Sequence, residues 1–175
     1  MNRNGDAVAL ESAQDLIVEA DHGQIYIYAY GGQGWLGNPF LDALDDAVSS
    51  RRFVGLAAGL IDLKTPGQWN SRTPLRLEIH STAPDVETAR WDHAVELDFD
   101  CDSGKLIFEA SGGGRPIRTE IPAGRYRVRI SGGGYGALGA AGANGNDQYL
   151  MQCWPRTAES PAALLKYWRG WDSYR

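Results

Sequence analysis

Three stretches of this chain alternate apolar and charged residues with strict period two, and that pattern leaves few folds open. Leu75, Leu77 and Ile79 interleave with Arg76, Glu78 and His80. Val95, Leu97 and Phe99 interleave with Glu96, Asp98 and Asp100, and Tyr126, Val128 and Ile130 with Arg125, Arg127 and Arg129. Successive side chains of a strand point to opposite faces, so each stretch predicts a strand with one face in a core and one in water. The β-branched and aromatic runs Leu16-Ile17-Val18 and Ile25 to Tyr30, separated by Asp21-His22-Gly23-Gln24, predict two strands joined at a turn. Shorter strands are expected at 106–109 and 148–154. Phe53 to Leu63 is apolar but carries Gly55 and Gly59, which favours a buried strand with a bend over a helix.

Helical signals are fewer. Asn38-Pro39 offers an N-cap with proline at the first helical position, followed by Phe40, Leu41, Leu44, Ala47 and Val48 at helical spacing and Asp42, Asp45 and Asp46 opposite them. Near the C-terminus, Ser160-Pro161 reads as a helix start and Gly170 as a stop, with Leu164, Trp168 and Trp171 forming an i, i+4, i+7 stripe. The expectation is a mainly β protein: an antiparallel β-sandwich or jelly-roll of about eight strands, with one short internal helix and a C-terminal helix. Residues 1–14 form a flexible lead-in, 15–155 the β-sandwich domain, and 156–175 a helical tail packed on the same domain.

Composition excludes several classes. Glycine supplies 22 of 175 residues, yet six Trp, eight Tyr and four Phe provide core material that collagen-like or disordered chains lack. The glycines gather at 31–37, 112–114 and 132–145, and so predict loops, where function usually resides. The formal net charge of −5 argues against a nucleic-acid or anionic-lipid partner. The longest apolar run, Phe53 to Ile61, is about half of the ~20 residues a membrane helix needs. Without an apolar leader at the start, a cytoplasmic location is expected, with Cys101 and Cys153 reduced and partly buried.

The motifs of common chemistries fail in their context. Gly32 to Gly37 and Gly134 to Gly139 both match G-x-G-x-x-G, but the fingerprint needs a strand running directly into a helix whose N-terminus faces a pyrophosphate. Trp35 crowds the first match, and the second leads into Ala140 to Asn146, too rich in glycine for a helix. Asp98, Asp100, Asp102 and Glu109 have the spacing of a calcium loop, but Ser103 stands where such a loop needs glycine. A hairpin turn at Asp102-Ser103-Gly104-Lys105 is the simpler expectation. His22, His80 and His93 lack metal-ligand spacing, and no nucleophile elbow is present. No catalytic residue, metal or cofactor is predicted.

A charge reversal is the most informative remaining feature. Residues 82–102 carry seven acids against Arg90, whereas residues 105–129 carry six basic residues against Glu109 and Glu120. If the strands involved lie side by side, their outward faces form cross-strand ion pairs. If they lie apart, an arginine row and an acidic strand become two separate patches able to steer a protein partner.

The segment Ile121-Pro122-Ala123-Gly124-Arg125-Tyr126-Arg127-Val128, the closing run Tyr149-Leu150-Met151-Gln152-Cys153-Trp154-Pro155, and Asp21-His22-Gly23-Gln24-Ile25-Tyr26 carry a resemblance. The chain looks like a group of uncharacterised actinobacterial β-sandwich proteins and, more remotely, resembles the competence protein J family, small β-sandwich proteins that inhibit a DNA-entry nuclease. That resemblance implies a β-sandwich and an acidic binding or inhibitory role. It covers the final third of the sandwich and brings no catalytic residue. The terminal tail and the long glycine-rich insertion depart from the family and leave the partner's identity open.

The functional expectation is a non-enzymatic, protein-binding domain, an inhibitor or immunity-type factor. Its contacts are expected from Asp98 and Asp100 on the acidic strand, Arg125 and Arg127 on the arginine row, and Trp168 and Trp171 on the tail. One alternative is a carbohydrate or small-ligand binding module using Trp35, Trp69 and Tyr135, with His22. Another is an enzyme with a scattered site drawn from Asp21, His22, His80 and His93.

Overall fold

All three alternating stretches are strands, and their apolar residues point into one core. The structure, a computed structural model, describes residues 9–31, 34–136 and 145–174. In chain order the described elements are β1 (Leu10–Asp21), β2 (Gln24–Ala29), α1 (Pro39–Ser49), β3 (Val54–Ala57), β4 (Leu60–Lys64), β5 (Trp69–His80) and β6 (His93–Cys101). There follow β7 (Lys105–Ala110), β8 (Ile117–Glu120), β9 (Gly124–Gly133), β10 (Gln148–Pro155), β11 (Ala163–Lys166) and a 3₁₀ turn, Arg169–Ser173.

The eleven strands form one connected sheet rather than the antiparallel eight-strand sandwich expected. Its order is β11-β6-β9-β10-β5-β1-β2-β4-β3, with β7 also paired to β2 and β8 to β7. It is mixed, because β5 and β10 run parallel from Leu75↔Tyr149 to Ile79↔Cys153. Alternation along a strand fixes which face is buried, but not which strand lies beside it. β1 and β2 are registered only at Asp21↔Gln24, across the turn His22-Gly23, whose two residues both have positive φ as a twist-matched hairpin turn requires. The sheet therefore has two limbs that meet at this hairpin. Val18, Leu75, Leu77, Val95, Leu97, Val128 and Met151 from one limb share a core cluster with Ile25, Ile27, Ile61, Leu63, Leu106 and Phe108 from the other.

Helix α1 begins as its sequence dictates, with Asn38 Oδ1 accepting from the Leu41 N–H at 3.2 Å and Pro39 in the first turn. It buries Pro39, Ala43 and Ala47. Gly55 of β3 permits this close approach, since a Cβ there would stand 1.8 Å from the Ala43 carbonyl oxygen.

Three boundaries differ from expectation. β1 starts at Leu10, so residues 10–14 of the expected lead-in are strand, paired to β5; residues 1–8 lie outside the described residues. Phe53 to Leu63 holds two strands, β3 and β4, turning at Ala58-Gly59, where a single bent strand was expected. The C-terminal helix is replaced by extended β11 and the short 3₁₀ turn. β11 pairs antiparallel with β6 through Glu96↔Ala163 and Val95↔Leu164. An open sheet edge offers a backbone partner for every second residue, and capturing it outweighs a local helical pattern.

The charge reversal is resolved by adjacency. β6 and β9 are antiparallel neighbours, with Glu96↔Arg129, Asp98↔Arg127 and Asp100↔Arg125 opposite one another. The outward face carries a continuous chain of polar contacts: Arg76 binds Asp15 and Glu78, and Glu78 accepts from Gln152, whose oxygen accepts from Arg129. Arg129 then binds Glu96, Glu96 and Asp98 share Arg127, and Arg156 joins Asp98 to Asp100. This face is not simply in water. Arg129 is 2% exposed, donates to the Pro84 and Asp85 carbonyls, and stacks over Trp154 at 5.3 Å. Burial pushes the Glu78 carboxyl up, but hydrogen bonds from Arg76, His80 and Gln152 outweigh it and hold the group below its ordinary range.

Cys101 and Cys153 are free and buried, and burial raises both thiols. No helix among the described residues is long and apolar enough to cross a membrane.

Candidate functional site

The end of the molecule where β2 runs out assembles three turns. The Tyr30 N–H donates to Lys105 O, which sets the β2 end against the turn between β6 and β7 that carries Asp102 and Ser103. A turn stands there in place of a calcium loop, but it does not close the hairpin expected: β6 pairs with β9 and β11 and β7 with β2 and β8, so the chain passes here from one limb of the sheet to the other. Alongside it lies the β3–β4 turn at Ala58-Gly59. The segment entering α1 then lays Trp35 against this end, with its indole N–H donating to Ala58 O at 3.0 Å. Tyr28 and Phe40 hold the indole edge-on, at ring-centroid distances of 5.5 and 5.3 Å.

Two concavities result, and they share Gly59 and Asp100. The smaller, about 210 Å³, is walled by Tyr28, Tyr30, Trp35, Asp100, Asp102 and Ser103 among others. The larger, about 510 Å³, is an open groove lined by Leu56, Asp98, Phe99, Arg156, Glu159 and Pro161. Nearby in sequence, Leu36 is 92% exposed, and Tyr30 and Leu41 are about half exposed at 52% and 51%.

The electrostatics at this end are uneven. Asp98 is largely buried and acts as a structural anchor, accepting from Arg127 at 3.0 Å and from the Ser160 N–H at 2.8 Å. Asp100 keeps 48% of its side chain exposed and binds Arg156 through Oδ1 alone, at 2.6 Å. Asp102 and Glu159 are exposed and pair with no cation among the described residues. The Tyr28 hydroxyl donates to Glu109 at 2.7 Å, and burial together with this bond pushes the phenol up to about 12.

The structure divides the residues expected at a site. Asp100 and Trp35 come together in the smaller concavity, although they belonged to different expectations. Arg125 is exposed, opposite Asp100, whereas Arg127 is enclosed, donating to the Ser160 and Pro161 carbonyls. Trp168 is half-buried and Trp171 buried, both within an aromatic cluster with Phe53 and Tyr135. The small-ligand set is dispersed: Tyr135 is buried in that cluster, while exposed Trp69 and His22 sit at the hairpin end of β2. The six residues of β2 put ~17 Å between that end and Trp35.

The histidines do not converge. His22 lies 3.3 Å from Asp21 on the exposed turn, and His80 bonds Glu78 at 3.0 Å on the outer face. His93 is buried beneath the tail; its Nδ1 accepts from the Trp168 N–H at 3.2 Å, so Nε2 carries the proton donated to Arg52 O. Burial lowers its proton affinity, in keeping with a neutral ring. Among the described residues no three His, Cys, Asp or Glu side chains form a metal-holding group. Gly32, Gln33 and residues 137–144, which carry parts of both glycine fingerprints, lie outside the described residues.

Sequence reasoning also missed Asp62, although its place in an apolar run was a signal. It faces α1, opposite Gly55, fully buried; Gln24 Nε2 donates to Oδ2 at 2.6 Å, and Oδ1 has no partner among the described residues. Burial pushes the carboxyl up to about 6. A raised acid stabilises the fold when protonated, and that contribution is lost as pH rises from about 4 through 6. Asp62→Asn is therefore expected to stabilise the protein by about 1–3 kcal/mol at pH 7.5 and by almost nothing at pH 4. Thermal unfolding at the two pH values checks this, and an equal gain at both would refute it.

Among solved structures, ComJ from Bacillus subtilis, described as an inhibitor of the DNA degrading activity of NucA, superimposes with a TM-score of 0.54. The identity is 12%, covering 86% of this chain and 100% of that one. The structure described as crocagin biosynthetic gene J gives a TM-score of 0.57 at 18% identity, covering 86% of this chain and 99% of its own. At such identities the likeness is one of fold. No family model matches the chain, and no curated protein matches it by sequence. In fold, then, this chain is similar to ComJ, which agrees with the resemblance drawn from the turn at 121–128.

Proposed function

We propose that this chain is a non-enzymatic protein-binding domain of inhibitor type, acting in the cytoplasm, that docks its partner against the end of the molecule carrying Tyr30, Trp35 and Asp100. The observation that carries this reading is the pairing of exposed Leu36, Tyr30 and Leu41 with the uncompensated carboxylates of Asp102 and Glu159. Apolar anchors give an interface its affinity, and the surrounding charge selects a partner of opposite sign. A net charge of −5 favours a protein partner over nucleic acid. The ComJ fold adds support, since that protein is described as an inhibitor of a DNA-degrading activity. The buried free thiols fit a reducing compartment.

The test is capture from the native host with the wild-type chain and with Leu36→Asp, a change at a position too exposed to disturb folding. Wild type is expected to retain one protein at stoichiometric yield and to inhibit it, and the variant to lose at least tenfold of that capture. A wild-type chain that stays monomeric and retains no stoichiometric partner sinks the reading. Undiminished capture by the variant moves the interface away from this end.

A further inference from the structure

We propose that the smaller concavity, walled by Tyr28, Tyr30 and Trp35 and lined by Asp100 and Asp102, receives an arginine side chain of the protein partner. The inference rests on the protein-binding reading above and names its central contact. At about 210 Å³ the space is smaller than the ~300–1,000 Å³ typical of pockets for whole small molecules, and it suits a single inserted side chain. Its walls supply three aromatic rings, whose faces attract cations. Its carboxylates supply the matching charge: Asp102 has no cation partner, and Asp100 has Oδ2 unengaged among the described residues.

A flat guanidinium fits this combination better than an ammonium, because it stacks on a ring while its edge donates to a carboxylate. The platform is held before any partner arrives. Trp35 is fixed by its bond to Ala58 O and by its ring contacts with Tyr28 and Phe40, and the Tyr28 hydroxyl is fixed by Glu109. Such preorganisation spares the complex the cost of ordering these rings. The chain's own arginines leave the space open. Arg156 binds Asp100 Oδ1, Arg125 lies opposite Asp100 on β9, and the charge of Arg118 reaches Tyr28, yet none of the three lines the concavity.

The experiment titrates the full chain with the blocked tripeptide Gly-Arg-Gly, with its citrulline counterpart, and with free arginine, following the Trp35 indole N–H by NMR. Trp35→Phe assigns the signal. The expected result is a saturable shift with the arginine peptide, at least tenfold weaker with the citrulline peptide. A similar loss is expected in Asp102→Asn, an exposed turn position, and in the Asp100→Asn/Asp102→Asn double variant. Equal binding of citrulline, binding unchanged in both variants, or no saturable shift overturns the proposal. Free arginine binding tenfold more tightly than the peptide overturns the protein source, because it marks a small-molecule site. If a partner is captured in a Leu36-dependent way while the peptide fails to bind, the arginine assignment falls and the protein-binding reading stands. If the peptide binds but no partner is captured, the protein-binding reading falls and takes the protein source of the arginine with it, leaving only a guanidinium site.

Discussion

Replacing Trp171 with alanine is expected to destabilise the protein by about 3–5 kcal/mol, the cost of emptying a large aromatic site in a packed core. Trp171 is 3% exposed and stacks flat on Phe53, with ring centroids 4.4 Å apart and planes 7° from parallel. Trp168, Tyr135 and His93 surround it edge-on at 5.2, 6.1 and 6.2 Å. In a chain of this length each kcal/mol moves Tm by roughly 2–4 °C, so a fall of about 10 °C is expected in thermal unfolding. Trp171→Phe separates packing from polarity. The indole Nε1 has no hydrogen-bond partner among the described residues, so phenylalanine keeps the stack without an unsatisfied donor and is expected to cost below ~1.5 kcal/mol. The outcome also decides the role of the tail. A partner-contacting Trp171 loses binding with little change in Tm; a core Trp171 loses stability first.

Arg129→Met is expected to cost about 3–5 kcal/mol, because it strands Glu96 on a largely covered face with one of its two guanidinium partners gone. Four groups turn toward this guanidinium: Glu96, the Gln152 side chain, and the Pro84 and Asp85 carbonyls. Removing Glu96 as well, in Arg129→Met/Glu96→Gln, is expected to recover part of the loss, since methionine and a neutral amide leave no unpaired charge. A double-mutant cycle in urea measures the coupling between the two positions. If Arg129→Met unfolds within ~1 kcal/mol of wild type, the polar chain across β5, β10, β9 and β6 is a surface decoration and does not hold the 81–90 segment down.

These two expectations concern residues whose types were plain in the sequence and whose settings were not. Period-two alternation made Arg129 an outward residue of a strand, and outward was equated with wet. The loop at 81–90 covers it, and nothing in the local pattern of β9 announces that cover. Trp168 and Trp171 carried a helical stripe, yet the tail is extended where it pairs with β6 and coils only at the end, because the pairing partner lies some seventy residues earlier. The candidate site shows the same division. Asp100 and Trp35 were each singled out from their local context, but Leu36 and Asp102 drew no attention as surface residues. Asp102 lines the concavity because the turns at 30–31, 58–59 and 101–105 meet there.

The choices in which a residue answers to its immediate neighbours were legible along the chain: the strand faces, the Asn38-Pro39 helix start, and the turns at His22-Gly23 and Asp102 to Lys105. Period, capping and turn chemistry operate over a few residues and are written in order along the chain. Long-range contacts set which strands are neighbours, that acidic β6 lies beside basic β9, that β5 and β10 run parallel, and that Trp35 and Asp100 share one concavity. Each of these depends on contacts between residues far apart in sequence, where burial and the need to pair every edge override local preference.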